Sequence, residues 1–235
     1  MEFSLLGAAA AGLAGMYVVL RWEAGGGNAA ESTRSLWDLL LTAAIVGLAV
    51  GRVASMLGGG SNPLTHPADI LIVRGGVDTR AAAAAALLTA VVLARRDLMP
   101  TLDAAAPAAL AGLAGWQAGC LARGACLGTP TGLPWGMPQP GSAIGRHPVE
   151  LYAALLLVVG VVALMAWKRR RPPPGTITGV ALGWAGAVRL VTEPLRLGIG
   201  GGPEWWYGAG IALGCAVAAW GLLRRRTKPD GPAQP

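Results

Sequence analysis

Residues 175–196 read GTITGVALGWAGAVRLVTEPLR, and this segment decides the fold. Gly175 to Val191 is an apolar run of the kind that crosses a membrane as a helix. Yet Arg189, Glu193 and Arg196 follow one another at spacings of four and three, which sets all three on one helical face. Arg189 lies about 14 residues, or roughly 21 Å, past the inner end of the run, still within the hydrocarbon by length. A charge at that depth costs at least about 2.5 kcal/mol on insertion scales and marks a functional site by default. Glu193, one turn on, is the expected partner of Arg189. Pro194 is expected to loosen the helix just past that pair.

The rest of the chain has the same character. Of its 235 residues 54% are apolar and only 13% charged, and the mean hydropathy is +0.52. That is the composition of a polytopic membrane protein, not of a soluble domain. Further runs long enough to cross a layer of roughly 30 Å extend over Phe3–Leu20, Leu36–Leu57, Ala104–Ala122, Val149–Trp167 and Trp205–Leu223. A shorter run, Ala81–Ala94, reaches only about 21 Å and must borrow from residues 77–80 to span. The expected fold is therefore all-α: one membrane bundle of about seven helices over residues 1–223, followed by a basic, disordered cytoplasmic tail at 224–235. No basic segment precedes the first run, which reads as a retained helix with its N-terminus outside.

The sequence pI of about 10.2 divides unevenly between the two faces. Arg21, Arg34, Arg95, Arg96, Lys168, Arg169 to Arg171, Arg224 to Arg226 and Lys228 fall on one side, which the positive-inside rule makes cytoplasmic. Arg52, Arg74, Arg80, Arg123, Arg146, Arg189 and Arg196 fall on the other. No lysine is among them. A guanidinium fork stays charged and binds phosphate oxygens bidentately, so the outer half reads as a phosphate site at headgroup depth.

Two outer loops carry further candidates. In the first, Arg74 and Arg80 bracket Gly75 and Gly76, where backbone can approach a ligand closely. In the second, glycines at 119, 124 and 128 precede prolines at 130, 134, 138 and 140. That composition defeats a helix and predicts an ordered outer cap. The cap leads into Arg146, His147 and Pro148, with Glu150 and Tyr152 in the first turn of the next helix. Trp205, Trp206 and Tyr207 read as an aromatic belt. The run of six alanines at 81–86 reads as a thin helix for close packing. Cys120, Cys126 and Cys215 show no disulfide framework and read as small packing residues. Two distant histidines give no metal site, and no nucleotide fingerprint is present. No metal, cofactor or nucleic-acid partner is expected.

Four motifs occur in order: Asp103-x-x-Ala106-Pro107; Gly119-Cys-Leu-x-x-Gly124-x-Cys-x-Gly128 followed by PTGLPWG; Arg146-His147-Pro148-x-x-Leu151-Tyr152; and Gly183 with Arg189, Glu193 and Arg196. Together they resemble the prolipoprotein diacylglyceryl transferase family over roughly four fifths of the chain. The resemblance implies a multi-pass enzyme of the bacterial inner membrane. Such an enzyme moves the diacylglyceryl group of phosphatidylglycerol, an anionic phospholipid, to the cysteine thiol of a lipoprotein signal peptide and leaves glycerol phosphate. It implies Arg189 as the phosphate clamp, with Glu193 and Arg196 fixing its rotamer and the local charge. Read from the residues themselves, Arg189, Glu193 and His147 are the catalytic candidates, and Arg80, Arg146, Arg196, Tyr152, Gly75, Gly76 and Gly119 the substrate-binding ones.

The chain departs from the family at several of these positions. Arg80-Ala-Ala stands where a His-Gly-Gly is expected, Trp116-Gln117 where a Gly-Arg is expected, and Cys120 and Ala125 replace Asn and Glu. Ala153 replaces a glutamate, and LLGAAAAGLAG replaces a histidine-containing helix start. Three readings follow: a divergent transferase, a non-catalytic relative that binds anionic phospholipid as a subunit or assembly factor of a membrane complex, and a transporter of an anionic lipid.

Overall fold

The computed structural model describes residues 3–24, 30–60, 63, 65, 77–123, 126–139, 141–197 and 204–226. Within them the chain forms helices α1 (Phe3–Ala24), α2 (Ala30–Gly58), α3 (Thr79–Leu93), α4 (Leu98–Ala118), a single turn α5 (Cys120–Arg123), α6 (Val149–Lys168), α7 (Thr176–Thr192) and α8 (Glu204–Arg226). Seven of these coincide with the seven apolar runs of the sequence. Three, over Ser35–Gly58, Val149–Lys168 and Glu204–Arg224, are long and apolar enough by themselves to cross a membrane. The shortest, α3, gains two residues at its start, where the Asp78 carboxylate accepts from the Arg80 and Ala81 amides, each at 2.9 Å. That satisfies two donors which the helix itself cannot.

Small residues set the packing. The α1 glycines Gly12 and Gly15 lie against backbone of α4 at Ala111 and Gly112, and Gly47 of α2 lies against Ala82 and Ala86 of α3. The alanine run is thus a packing face. Gly179 and Gly183 of α7 meet Gly214 of α8 backbone to backbone. Where apolar side chains gain nothing by leaving lipid, close backbone approach supplies the attraction between helices.

One end of the bundle is closed by polar contacts between chain-distant segments. Lys168 Nζ lies 2.8 Å from Glu23 Oε1 and donates to the Ala104 carbonyl. The Asp103 carboxylate accepts from the amides of Gly175 and Thr178, both at 2.7 Å, and from the Thr178 hydroxyl. Gly175, with φ of 91°, takes a left-handed turn that an L side chain disfavours. These contacts gather the end of α1, the start of α4, the end of α6 and the start of α7. The basic pair at 95–96 and the four basic residues at 168–171 therefore share one face.

The opposite end departs from an all-α fold. Short strands β1 (Leu127–Pro130), β2 (Met137–Pro138) and β3 (Gly145–Pro148) form an antiparallel sheet in the order β1-β3-β2. The segment between α5 and α6 is an ordered cap, as its composition predicts, but it is organised by strands. Pro removes helical donors and Gly makes the helix entropically costly, so the ends of the segment pair with each other instead. The cysteines also differ from the packing role expected of them: Cys120 and Cys126 are joined by a disulfide, with Cα atoms 5.0 Å apart. The single helical turn of α5, Cys120–Arg123, lies within the loop that the disulfide closes. Cys215 is free and exposed on α8.

Candidate functional site

The capped end holds Arg189, Glu193 and Arg196. Helix α7 stops at Thr192, and Glu193–Leu195 winds into a 3-10 turn around Pro194. Proline disfavours continuation of the α-helix through the residue before it. Thr192 is buried, and its hydroxyl donates to the Val188 carbonyl at 2.8 Å.

Glu193 keeps helical dihedrals, φ −60° and ψ −42°, and the chain turns extended only at Arg196. Glu193 Oε2 lies 3.4 Å from Arg196 Nη1 and accepts from the Tyr207 hydroxyl of α8 at 3.3 Å. The expected ion pair with Arg189 is not formed among the described residues. Arg189 instead sits with its guanidinium carbon 5.7 Å from the centre of the Tyr207 ring, a cation–π distance. Tyr207, read from sequence only as part of an aromatic belt, therefore serves both residues at once.

The cap reaches this cluster through Gly128. A β-bridge pairs Gly128 with Arg196, and the Gly128 carbonyl accepts from Arg146 Nη1 at 3.4 Å. A side chain at residue 128 would collide with Val149 and would come within 2.6 Å of the His147 carbonyl and 2.7 Å of the Leu195 carbonyl. Glycine is required for β1 to pass between β3 and the 3-10 turn. Arg146 and Arg196 consequently flank one backbone unit. Arg146 Nε is buried without a hydrogen-bond partner, and so is Glu150 Oε2 in the first turn of α6. A buried unpaired guanidinium donor is costly and gives the site a reason to hold an anion.

His147 and Tyr152 form a second group beside it. Trp135 Nε1 of the cap donates to the Tyr152 hydroxyl oxygen at 2.9 Å, and that oxygen lies 3.3 Å from His147 Nδ1. The indole only donates, so Tyr152 keeps either its own proton for Nδ1 or a lone pair for an Nδ1–H. In the second arrangement Nε2 is the basic nitrogen of the imidazole. Arg146 and His147 are neighbours on β3, so a guanidinium and an imidazole share one short strand.

The other expected residues lie elsewhere. Gly119 is buried where α4 ends, against Ala8 of α1. Arg80 opens α3, exposed and 3.7 Å from Asp78, and α3 packs chiefly on α2. Arg52 is 6% exposed near the end of α2. Gly75, Gly76 and Arg74 lie outside the described residues.

The sequence profile of the prolipoprotein diacylglyceryl transferase family matches residues 2–201. A protein of Wolbachia sp. subsp. Brugia malayi, named phosphatidylglycerol–prolipoprotein diacylglyceryl transferase, is 34% identical over 178 residues, which is 70% of this chain and 67% of its own. A Geobacter sulfurreducens protein of the same name is 31% identical over 204 residues, 82% of this chain and 78% of its own. One from Bordetella avium is 31% identical over 140 residues, 57% of this chain and 53% of its own.

Proposed function

Because the chain belongs to the prolipoprotein diacylglyceryl transferase family, we propose that it transfers the diacylglyceryl group of phosphatidylglycerol to the cysteine thiol of a lipoprotein signal peptide. The reaction occurs at the outer leaflet of a bacterial inner membrane. Seven helices cross that membrane with the N-terminus outside, and Arg224 to Arg226, which end α8 and do not begin a disordered tail, lie on the cytoplasmic side. The names of the relatives support this reading. They lend no support to a non-catalytic complex subunit.

In the step itself the thiol sulfur bonds to the glyceryl methylene that carries the phosphate. The carbon–oxygen bond breaks, its electron pair leaves on the phosphate oxygen, and glycerol phosphate departs. Arg146, Arg189 and Arg196 hold that phosphate and stabilise the charge it gains, which is where such contacts accelerate reaction. Glu193 balances the cluster and orients Arg196. His147 Nε2 takes the thiol proton, with Tyr152 holding Nδ1. A free thiol near pKa 8.5 needs such help at neutral pH.

The observation that carries the reading is the convergence of Arg146 and Arg196 on Gly128, with Arg146 Nε buried and unpartnered. Mass spectrometry of a lipobox peptide incubated with the protein in phosphatidylglycerol nanodiscs tests it. The expected result is a diacylglyceryl mass increment that falls at least about a hundredfold in Arg189→Ala. An unmodified peptide beside co-purified phosphatidylglycerol would instead identify a lipid-binding relative without turnover.

A further inference from the structure

The cap carries a surface that the chemistry above does not use. Between Gly128 and Arg146 the seventeen residues TPTGLPWGMPQPGSAIG contain no charged side chain. Four large apolar side chains stand out from it: Leu133 is 41% exposed, Trp135 57%, Met137 38% and Ile144 53%. A loop bathed in water is normally studded with charge, and a cluster of exposed apolar side chains marks an interaction surface.

We propose that this cap lies in the interfacial layer of the outer leaflet, with Trp135 as its anchor, and that its partner is the lipid surface itself. The inference rests on the membrane reading given above.

Three observations select lipid as the occupant. The cap is continuous with the lipid-facing side of a spanning helix: Trp135 is hydrogen-bonded to Tyr152, one turn before the exposed residues Leu155, Val158, Val159 and Val162 of α6. Its prolines at 130, 134, 138 and 140 carry no amide proton. Fewer backbone donors therefore lose water when the segment enters a less polar layer. The anchor is an indole with an apolar body and one polar atom, the chemistry enriched where hydrocarbon meets headgroups. The unpaired polar backbone that remains, as at a short sheet edge, suits the hydrated interface and not the hydrocarbon core.

The placement has a consequence for the site. Trp135 is the first member of the chain of contacts that continues through Tyr152 to His147. Lipid contact at the cap and the orientation of the imidazole are therefore mechanically joined, and phosphatidylglycerol meets the cap at the depth of its own glycerol.

Spin labels decide the matter. In a Cys215→Ser background, with Cys120 and Cys126 held in their disulfide, single cysteines are introduced as Met137→Cys and, independently, Ile144→Cys. Val158→Cys reports the lipid face of α6, and Arg170→Cys reports the basic turn. Each label's accessibility to oxygen and to a water-soluble nickel chelate is measured in phosphatidylglycerol nanodiscs. The expected ratio of oxygen to nickel accessibility at 137 and 144 is severalfold above that at 170 and below that at 158. Labels at 137 and 144 as nickel-accessible as the one at 170, with 158 protected, overturn the proposal and leave the membrane reading standing. Nickel access at 158 as well overturns both. Labels that are aqueous alone but become protected on adding a lipobox signal peptide also overturn it, and make the cap a peptide-docking surface.

Discussion

The Tyr207 hydroxyl donates to Glu193 Oε2 at 3.3 Å across the gap between α8 and the end of α7. The same aromatic ring faces the guanidinium of Arg189. One side chain from the last helix thus holds an anion and a cation that stand four residues apart without pairing with each other. Separating them keeps the Arg189 donors available to a phosphate, whereas a direct salt bridge would occupy them.

Tyr207→Phe is expected to lose the bond to Glu193 and keep the ring under Arg189, lowering the rate of diacylglyceryl transfer about tenfold. Tyr207→Leu removes both contacts and is expected to cost about fiftyfold. Turnover of phosphatidylglycerol with a lipobox peptide measures both variants. A Tyr207→Leu protein with wild-type turnover would show that Arg189 is held by other means.

Gly128→Ala forces a methyl group between Val149, the His147 carbonyl and the Leu195 carbonyl. Pushing β1 away from the 3-10 turn is expected to cost about 1–3 kcal/mol locally and to separate Arg146 from Arg196. The bundle is expected to stay folded by circular dichroism while transfer falls steeply. Unchanged activity in this variant would mean that the two arginines do not act together.

Cys120→Ser paired with Cys126→Ser opens the loop ahead of β1. In the chain-entropy account, closing a loop this short contributes about 2 kcal/mol. The double variant, like wild type in reductant, is expected to melt several degrees lower in nanodiscs. Maleimide should label the oxidised wild type once, at Cys215. Two or more additional labels without reduction would show that the disulfide is absent.

Asp103→Ala strips three acceptor bonds from the start of α7. The two amides and the hydroxyl left behind are expected to cost about 2–4 kcal/mol in stability. Asp103 lies at the end of the bundle away from the arginines, so the protein that remains folded should bind phosphatidylglycerol as wild type does. A selective loss of lipid binding with an unchanged melting temperature would place Asp103 in the site instead.

Helix positions were legible because the rule that sets them is local. A backbone in hydrocarbon must satisfy its own hydrogen bonds, so an apolar run such as Val149–Trp167 becomes a helix wherever its neighbours lie, and α6 spans Val149–Lys168. The alanine run, the break at Pro194 and the non-helical cap follow from the same local chemistry. The sequence also contained Arg146, Arg189, Arg196, Glu193, His147 and Tyr152, but the helical face expected from the spacing of four and three is not continuous. Helix α7 ends at Thr192, so only Arg189 lies on it, while Glu193 falls in the 3-10 turn and Arg196 is extended.

Which of those residues meet was decided by contacts that spacing does not encode. Glu193 was expected to pair with Arg189, but its carboxylate meets Arg196 and a tyrosine fourteen residues on, brought to it by α8. Asp103 reaches across 72 residues to Gly175, and Arg146 reaches across 18 to Gly128. The disulfide between Cys120 and Cys126 closes across the turn of α5, with Cα atoms 5.0 Å apart, a proximity that the spacing of six did not signal. Local propensity and the demand of backbone hydrogen bonding determined where each helix runs. The site arose where helix ends and cap were forced together, because tertiary packing there brings Arg146, Arg196, Glu193 and Tyr207, remote in sequence, within a few ångströms of shared partners.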